Sequence, residues 1–338
     1  VRCPYPGTDH KQGLPGRKAN EGQAFTIIEL LAATAVMAII MVVIFGITQQ
    51  TANAWRSTSS RVEAIQGART AFDILTRTLG QATLNTYYDY DDLTNPTRYR
   101  RNSDLQFITG KALVPGQVTQ AVFFQAPLGY SNKASFEHLD SALNSTGFYI
   151  QYSADPLRPA FLDALGSNKP ATRHRFRLMQ FFQPTQNLSV YADAGSTGWF
   201  TAPLASSDPP VHQIAENVIA LVILPQASSL DGNSAPLVSD YEYDSTKGAS
   251  SSPQPATAHQ LPPLVEVAMV VIDEPSAQRL GNPATAPDVG LDGLFLDSSS
   301  EAKLEDDIAE LERRLSAKNI GYRVFRTKVP LPGAKWSS

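Results

Sequence analysis

An α+β fold, with one long N-terminal helix laid against a mainly antiparallel β-sheet, is predicted by three observations. Residues 25–49 form a long, predominantly apolar run, FTIIELLAATAVMAIIMVVIFGITQ. The pattern that follows is amphipathic, with no proline to stop the helix before residue 86. Beyond it, short apolar segments alternate with turn residues, as half-buried strands require.

The first stretch, residues 1–24, is polar and carries Arg2, Lys11, Arg17 and Lys18 against Asp9 and Glu21. That is a surplus of +2 in a chain of net charge −4, so the remainder is −6. Such a positive segment ahead of an apolar run stays cytoplasmic, and residues beyond about 50 are expected on the far side of the membrane. The one cysteine, Cys3, lies in this stretch, so no disulfide is expected after residue 24. The first residue is Val1, and the translation start is expected upstream.

Residues 25–48 read as a transmembrane half-helix. From Ile27 to Ile47 every residue is apolar or small except Glu29 and Thr34. At 1.5 Å per residue the run reaches roughly 30 Å, the thickness of a bilayer's hydrocarbon core. A carboxylate there costs on the order of 2–3 kcal/mol unless it is partnered, which marks Glu29 as a functional candidate. Ala52-Asn53-Ala54 would suit a signal peptidase, but the apolar run is too long for a signal peptide and contains Glu29.

Residues 49–85 read as the amphipathic continuation, ending at about Leu84. Val62, Ile65, Phe72, Leu75, Leu79 and Ala82 share one face. Residues 86–338 read as a β-rich domain. The Tyr, Asp, Asn and Pro content from Tyr87 suggests a loop, and strands are expected at 105–109, 120–125, 147–152, 173–182, 218–224, 264–272 and 321–328. Within 173–179, RHRFRLM, the basic side chains alternate onto one face, expected to be the solvated one. The Ser-, Pro- and Gly-rich stretches 225–263 and 275–300 read as long loops. A second helix is expected between Ser298 and Ile320. Ser298 and Glu301 would form its capping box, and Leu304, Ile308, Leu311 and Leu315 its apolar face.

The sequence around the start of the apolar run, EGQA-FTIIELL, resembles the N-terminus of type IV pilins and of type II secretion pseudopilins. The resemblance implies cleavage by a prepilin peptidase between Ala24 and Phe25, N-methylation of Phe25, and an assembly role for Glu29. The family has Gly before the cut where this chain has Ala24, a small replacement. The segments ARTAFDILTRTLGQA, IAENVIALVIL, LPPLVEVAMVVID and GYRVFRTKVPL are similar to minor pseudopilins of the J type. RFRLMQFFQPTQNLSVY and the ending AKWSS are closer still to the Verru_Chthon cassette protein C family. The implied partners are the peptidase, other pilin or pseudopilin subunits and an inner-membrane assembly platform. The implied location is a single pass through the cytoplasmic membrane, with the β domain periplasmic or carried into a filament.

An acidic body with no basic stripe argues against nucleic acid. No phosphate loop, HExxH or CxxC is present, and the five histidines have no ligand spacing. No cofactor is expected. The acidic loops Asp89, Asp91, Asp92 and Asp240, Glu242, Asp244 are where calcium would fit, but neither has an EF-hand pattern. The role that the resemblance implies is a non-enzymatic filament subunit. The alternative is a membrane-tethered periplasmic enzyme or sensor that uses the helix as an anchor.

Overall fold

The computed structural model describes residues 26–136, 138–155, 158–193, 195–228 and 235–336, in two compact units, Val1–Arg56 and Ser57–Ser338. The expected leader, residues 1–24, lies outside the described residues. In chain order the elements are α1 (Ile27–Leu79), β1 (Tyr87–Tyr90), β2 (Tyr99–Asn102), β3 (Ile108–Gly110), β4 (Ala121–Pro127), β5 (Leu143–Ala154) and β6 (His174–Gln183). There follow α2 (Gly198–Leu204), β7 (Val211–Glu216), β8 (Val218–Gln226), β9 (Tyr243–Asp244), β10 (Leu264–Ile272), α3 (Glu274–Arg279), α4 (Glu301–Ala317) and β11 (Tyr322–Pro330). The strands form sheets in the orders β11-β10-β8, β7-β6-β5-β4-β3-β9 and β1-β2, and every ladder among the described residues is antiparallel. The architecture is α+β, as expected.

The three-stranded sheet is covered on both faces. Phe325 of β11 meets Phe72 of α1 with ring centroids 5.7 Å apart, while the next residue, Arg326, reaches Glu301 and Glu305 of α4. Successive side chains on a strand point to opposite faces. Every residue of β10 after Leu264 is therefore buried, and its sequence is almost uninterruptedly apolar. Both helices supply matching stripes: Ala68, Ala71, Phe72, Leu75 and Leu79 on α1, and Leu304, Ile308, Leu311 and Leu315 on α4. The i, i+3/i+4 spacing puts each set on one side of its helix.

The six-stranded sheet has an aromatic core. Phe123 of β4 stacks on Phe200 of α2 at 4.2 Å and packs edge-on against Phe181 of β6. Gly147 of β5 makes room for that ring, since a Cβ there would lie 2.1 Å from the Phe123 ring carbon Cδ1. The two large sheets are joined through Thr119 and Gln120. The backbone N–H of Gln120 donates to the Leu221 carbonyl at 3.2 Å, its side-chain oxygen accepts from Ile223 N at 2.8 Å, and Thr119 Oγ1 accepts from Leu221 N at 2.9 Å.

The structure departs from the sequence expectations in several places. α1 ends at Leu79, not at about Leu84, because Thr83 donates to the Gln125 carbonyl at 2.9 Å and draws the chain into a bridge with β4. Ala82 and Leu84 are still buried, but as extended chain. The stretch expected as a loop from Tyr87 is a hairpin. Ser298 does not cap α4. Its buried hydroxyl instead accepts from Tyr241 N and donates to the Val238 carbonyl, and Ser300 precedes the helix. Arg175 and Arg177 of β6, expected in solvent, are buried. The stretch 275–300 is anchored by α3, whose N-cap Asp273 accepts from Ser276 N at 2.9 Å.

Candidate functional site in the apolar helix

Residues Ile27–Trp55 form a helical stretch long and apolar enough to cross a membrane, with mean hydropathy 2.8 in its most apolar window and none of that window buried. At 1.5 Å per residue it extends about 43 Å, more than the roughly 30 Å of a hydrocarbon core. Its large side chains face outward on all sides: Ile27 is 82% exposed, Val42 73% and Phe45 66%. The hydroxyls in the stretch are satisfied by its own backbone. Thr34 donates to Leu31 O at 2.9 Å, Thr48 to Ile44 O at 2.8 Å and Thr51 to Ile47 O at 2.9 Å. A helix that satisfies its own polar groups is one of the few structures that tolerate an apolar solvent. Trp55 is 76% exposed, and an amphipathic ring at the end of such a stretch suits a membrane–water boundary.

Glu29 lies in the first turn and is exposed. Thr26, just before the helix, donates to Glu29 Oε2 twice, from N at 2.9 Å and from Oγ1 at 2.9 Å, and Glu29 N points back at Thr26 Oγ1 at 3.4 Å. This is the reciprocal T-x-x-E capping box, which satisfies amide groups left over at every helix start. The carboxylate also lies at the positive end of the helix dipole. Thr26 was not singled out from sequence, although the T-x-x-E spacing was the signal that could have found it. Ala24 and Phe25, the expected processing residues, lie outside the described residues.

The acidic loops are tied to their own chain. Asp91 Oδ1 accepts from the backbone of Thr97 at 2.8 Å and of Arg98 at 3.1 Å, and its other oxygen from the Thr97 hydroxyl. These bonds, the Thr97 hydroxyl foremost, hold the Asp91 carboxyl far below the usual carboxylate range. Asp92 Oδ1 accepts from Thr94 N and Oγ1 and from Asn95 N. The carboxylates thus close the tip of the β1–β2 hairpin. In the other loop, Asp244 Oδ1 accepts from Gln106 and Thr246, and Asp240 Oδ1 from Glu242 N. No group of three or more His, Cys, Asp or Glu is arranged around a metal position among the described residues.

Asp240, Glu242, Asp244 and Lys247 border an open cavity of about 610 Å³, whose described lining contains no histidine or cysteine. A separate network ties β6 to its neighbours. Arg173 and Arg177 pair with Glu216, and Arg173 and Arg175 with Glu274, which also accepts from Asn217 at 2.7 Å. Burial opposes ionisation of Glu274. The Asn217 and Gln278 hydrogen bonds and the two guanidinium charges outweigh it, so its carboxyl sits below the usual range. Buried charges paired in this way organise packing and fix the register of the elements they join.

The comparisons with known proteins add no relative. No family model, no curated protein and no solved structure matches this chain.

Proposed function

We propose that the chain is a membrane-anchored, pilin-like minor subunit. A prepilin peptidase matures it at Ala24–Phe25, and it then assembles with other subunits into a type II secretion or type IV pilus-like filament, at or near the tip. The observation that carries this reading is a helix stretch with apolar side chains exposed on every side and one carboxylate, Glu29, in its first turn. It is supported by the resemblance of FTIIEL to pilin N-termini. In the bilayer this surface is covered by lipid, and in a filament by neighbouring helices. Small residues such as Ala32, Ala33, Ala35 and Ala38 allow close helix approach there.

The role proposed for Glu29 is to pair with the ammonium created at Phe25, in its own chain or in the subunit docking beside it. An unpaired charge in low dielectric is costly and a paired one much less so, which makes the pair a register device. The capping box gives Glu29 a second duty, and the two separate by substitution. Glu29→Gln keeps a capping side chain but removes the charge, whereas Glu29→Val removes both. If charge sets register, both variants are processed yet left out of filaments. If Gln assembles as the parent does, register does not depend on the charge. Sequencing the mature protein from membranes is expected to begin at Phe25, and a start at Trp55 would refute the whole reading.

The open cavity beside Asp240 favours one other reading, a tethered periplasmic enzyme or sensor. That protein would keep its function as a solitary anchored monomer.

A further inference from the structure

Two strand edges of opposite charge lie on the Ser57–Ser338 unit, here called the outer unit, with no other strand paired to them, and we infer that they bind each other between copies: β1 of one molecule adds as a strand to β11 of a second.

The hydrogen-bond phase identifies which groups point outward. Asp273 N donates to Gly321 O at 2.9 Å and Leu331 N to Pro263 O at 3.0 Å, so the odd-numbered residues of β11 exchange bonds with β10. The backbone groups of Tyr322, Val324 and Arg326 therefore point away from the sheet. Among the described residues no backbone hydrogen bond meets them. On β1, Asp91 N donates to Arg98 O at 3.1 Å, which fixes the pairs Asp89–Arg100 and Tyr87–Asn102 as the bonded ones. Tyr88 and Tyr90 face outward, the Tyr90 N–H donating to Asp89 Oδ1 at 2.7 Å, a local bond that an incoming strand would replace. Two neighbouring edges are closed: Gln254 bonds both backbone groups of Arg101 on the far side of β2, and Thr119 and Gln120 cover β8. An open, regular edge is a template for another strand.

Charge selects the occupant. After Glu312 the chain carries Arg313, Arg314, Lys318, Arg323, Arg326, Lys328 and Lys335 and no acidic residue, in a protein of net charge −4. A second β11 would offer Arg323 no acidic partner, since Arg326 and Lys328 are already paired with Glu266, Glu301 and Glu305. The β1 edge is the opposite: YYDYDD. An antiparallel register with Tyr88 opposite Val324 sets Tyr90 against Tyr322 and Asp89 against Arg323. Arg323 is exposed and enters no ion pair among the described residues. The same contact covers Tyr88, which is 70% exposed, and tyrosine and arginine are enriched where proteins meet.

The test uses the full chain in detergent micelles with Cys3→Ser as background. Tyr90→Cys and Tyr322→Cys proteins are mixed and treated with a short bismaleimide. The mixture is expected to give a covalent dimer that neither variant gives alone. No dimer, or dimers from either variant alone, would overturn the inference. Adding Val324→Pro to the Tyr322→Cys protein removes an outward N–H that the molecule itself does not use, so dimer formation is lost while the circular-dichroism melting curve is retained. If that variant unfolds, charge reversal decides. Asp89→Lys or Arg323→Glu alone weakens association about tenfold, and the two in partner molecules restore it. Failure of the swap to restore association would overturn the charge pairing. The contact goes beyond the proposed function and does not involve Glu29. Glu29→Val should leave the crosslink intact, so loss of filaments and loss of this dimer are separate results.

Discussion

The two stretches of α1 follow opposite rules. Between Ile27 and Trp55 the helix is apolar all round and its large side chains are exposed. Between Ala68 and Leu79 it is apolar on one stripe only, and that stripe is buried to 7% exposure or less. The second stretch finds its cover within its own chain. Among the described residues the first does not, and under the proposed function lipid or neighbouring helices would supply that cover. Composition alone does not distinguish a core helix from a membrane helix. Whether the same polypeptide supplies the covering surface does.

The largest test of this contrast is a matched pair of truncations. Leu75→Ala, at a fully buried site, is expected to destabilise the outer unit by about 2–5 kcal/mol in urea unfolding. Ile40→Ala, at a site 51% exposed, should leave that unfolding unchanged. Equal losses would break the comparison. Overpacking comes next. Gly147→Ala places a Cβ against the Phe123 ring and should cost about 1–3 kcal/mol, read from the same unfolding curves. At Gly46 in the apolar stretch an added Cβ meets nothing within 4 Å, so Gly46→Ala should not lower stability.

Smaller effects sharpen the contrast. Thr26→Val removes the cap of α1 and should weaken the helix start by about 1 kcal/mol, seen as faster amide exchange at Leu30 with no change in the melting of the outer unit. The smallest is a pH slope. Burial, reinforced by the nearby Arg101 charge, holds His259 below its ordinary value of 6.5. The unfolded chain then takes up the proton first, so this contribution to stability is complete above pH 6.5 and falls as pH drops towards the folded value. His259→Asn, which tolerates the positive φ of 53° there, should flatten that slope in melts between pH 7 and about 5.

The sequence made the buried strands easy to read and the exposed ones hard. β10 was expected at 264–272 and runs from Leu264 to Ile272, because a strand covered on both faces is apolar along its whole length. The β1–β2 hairpin was missed because β1 is largely exposed and β2 only half-buried. Its tyrosines show no inward–outward alternation, and its aspartates resemble loop composition. Arg175 and Arg177 misled for a related reason. Their burial depends on Glu216 and Glu274, which are distant in sequence and invisible to a local pattern. At the apolar helix the position of Glu29 was plain from sequence, and its bond to Thr26 was legible in the T-x-x-E spacing but was passed over for the apolar run around it.

The Thr119–Gln120 junction has a mechanical consequence. A few hydrogen bonds from Thr119 and Gln120, with those of Asn217 between β7 and β8, whose N–H donates to Phe176 O at 2.7 Å and whose carbonyl accepts from Ile272 N at 2.9 Å, join two sheets whose internal ladders run for as many as ten residue pairs. Under tension the ladders share the load along their length, while the links between the sheets concentrate it on three residues, Thr119, Gln120 and Asn217. A pulled molecule would lose these few bonds before either ladder, with the chain through Asn217 still tethering the sheets.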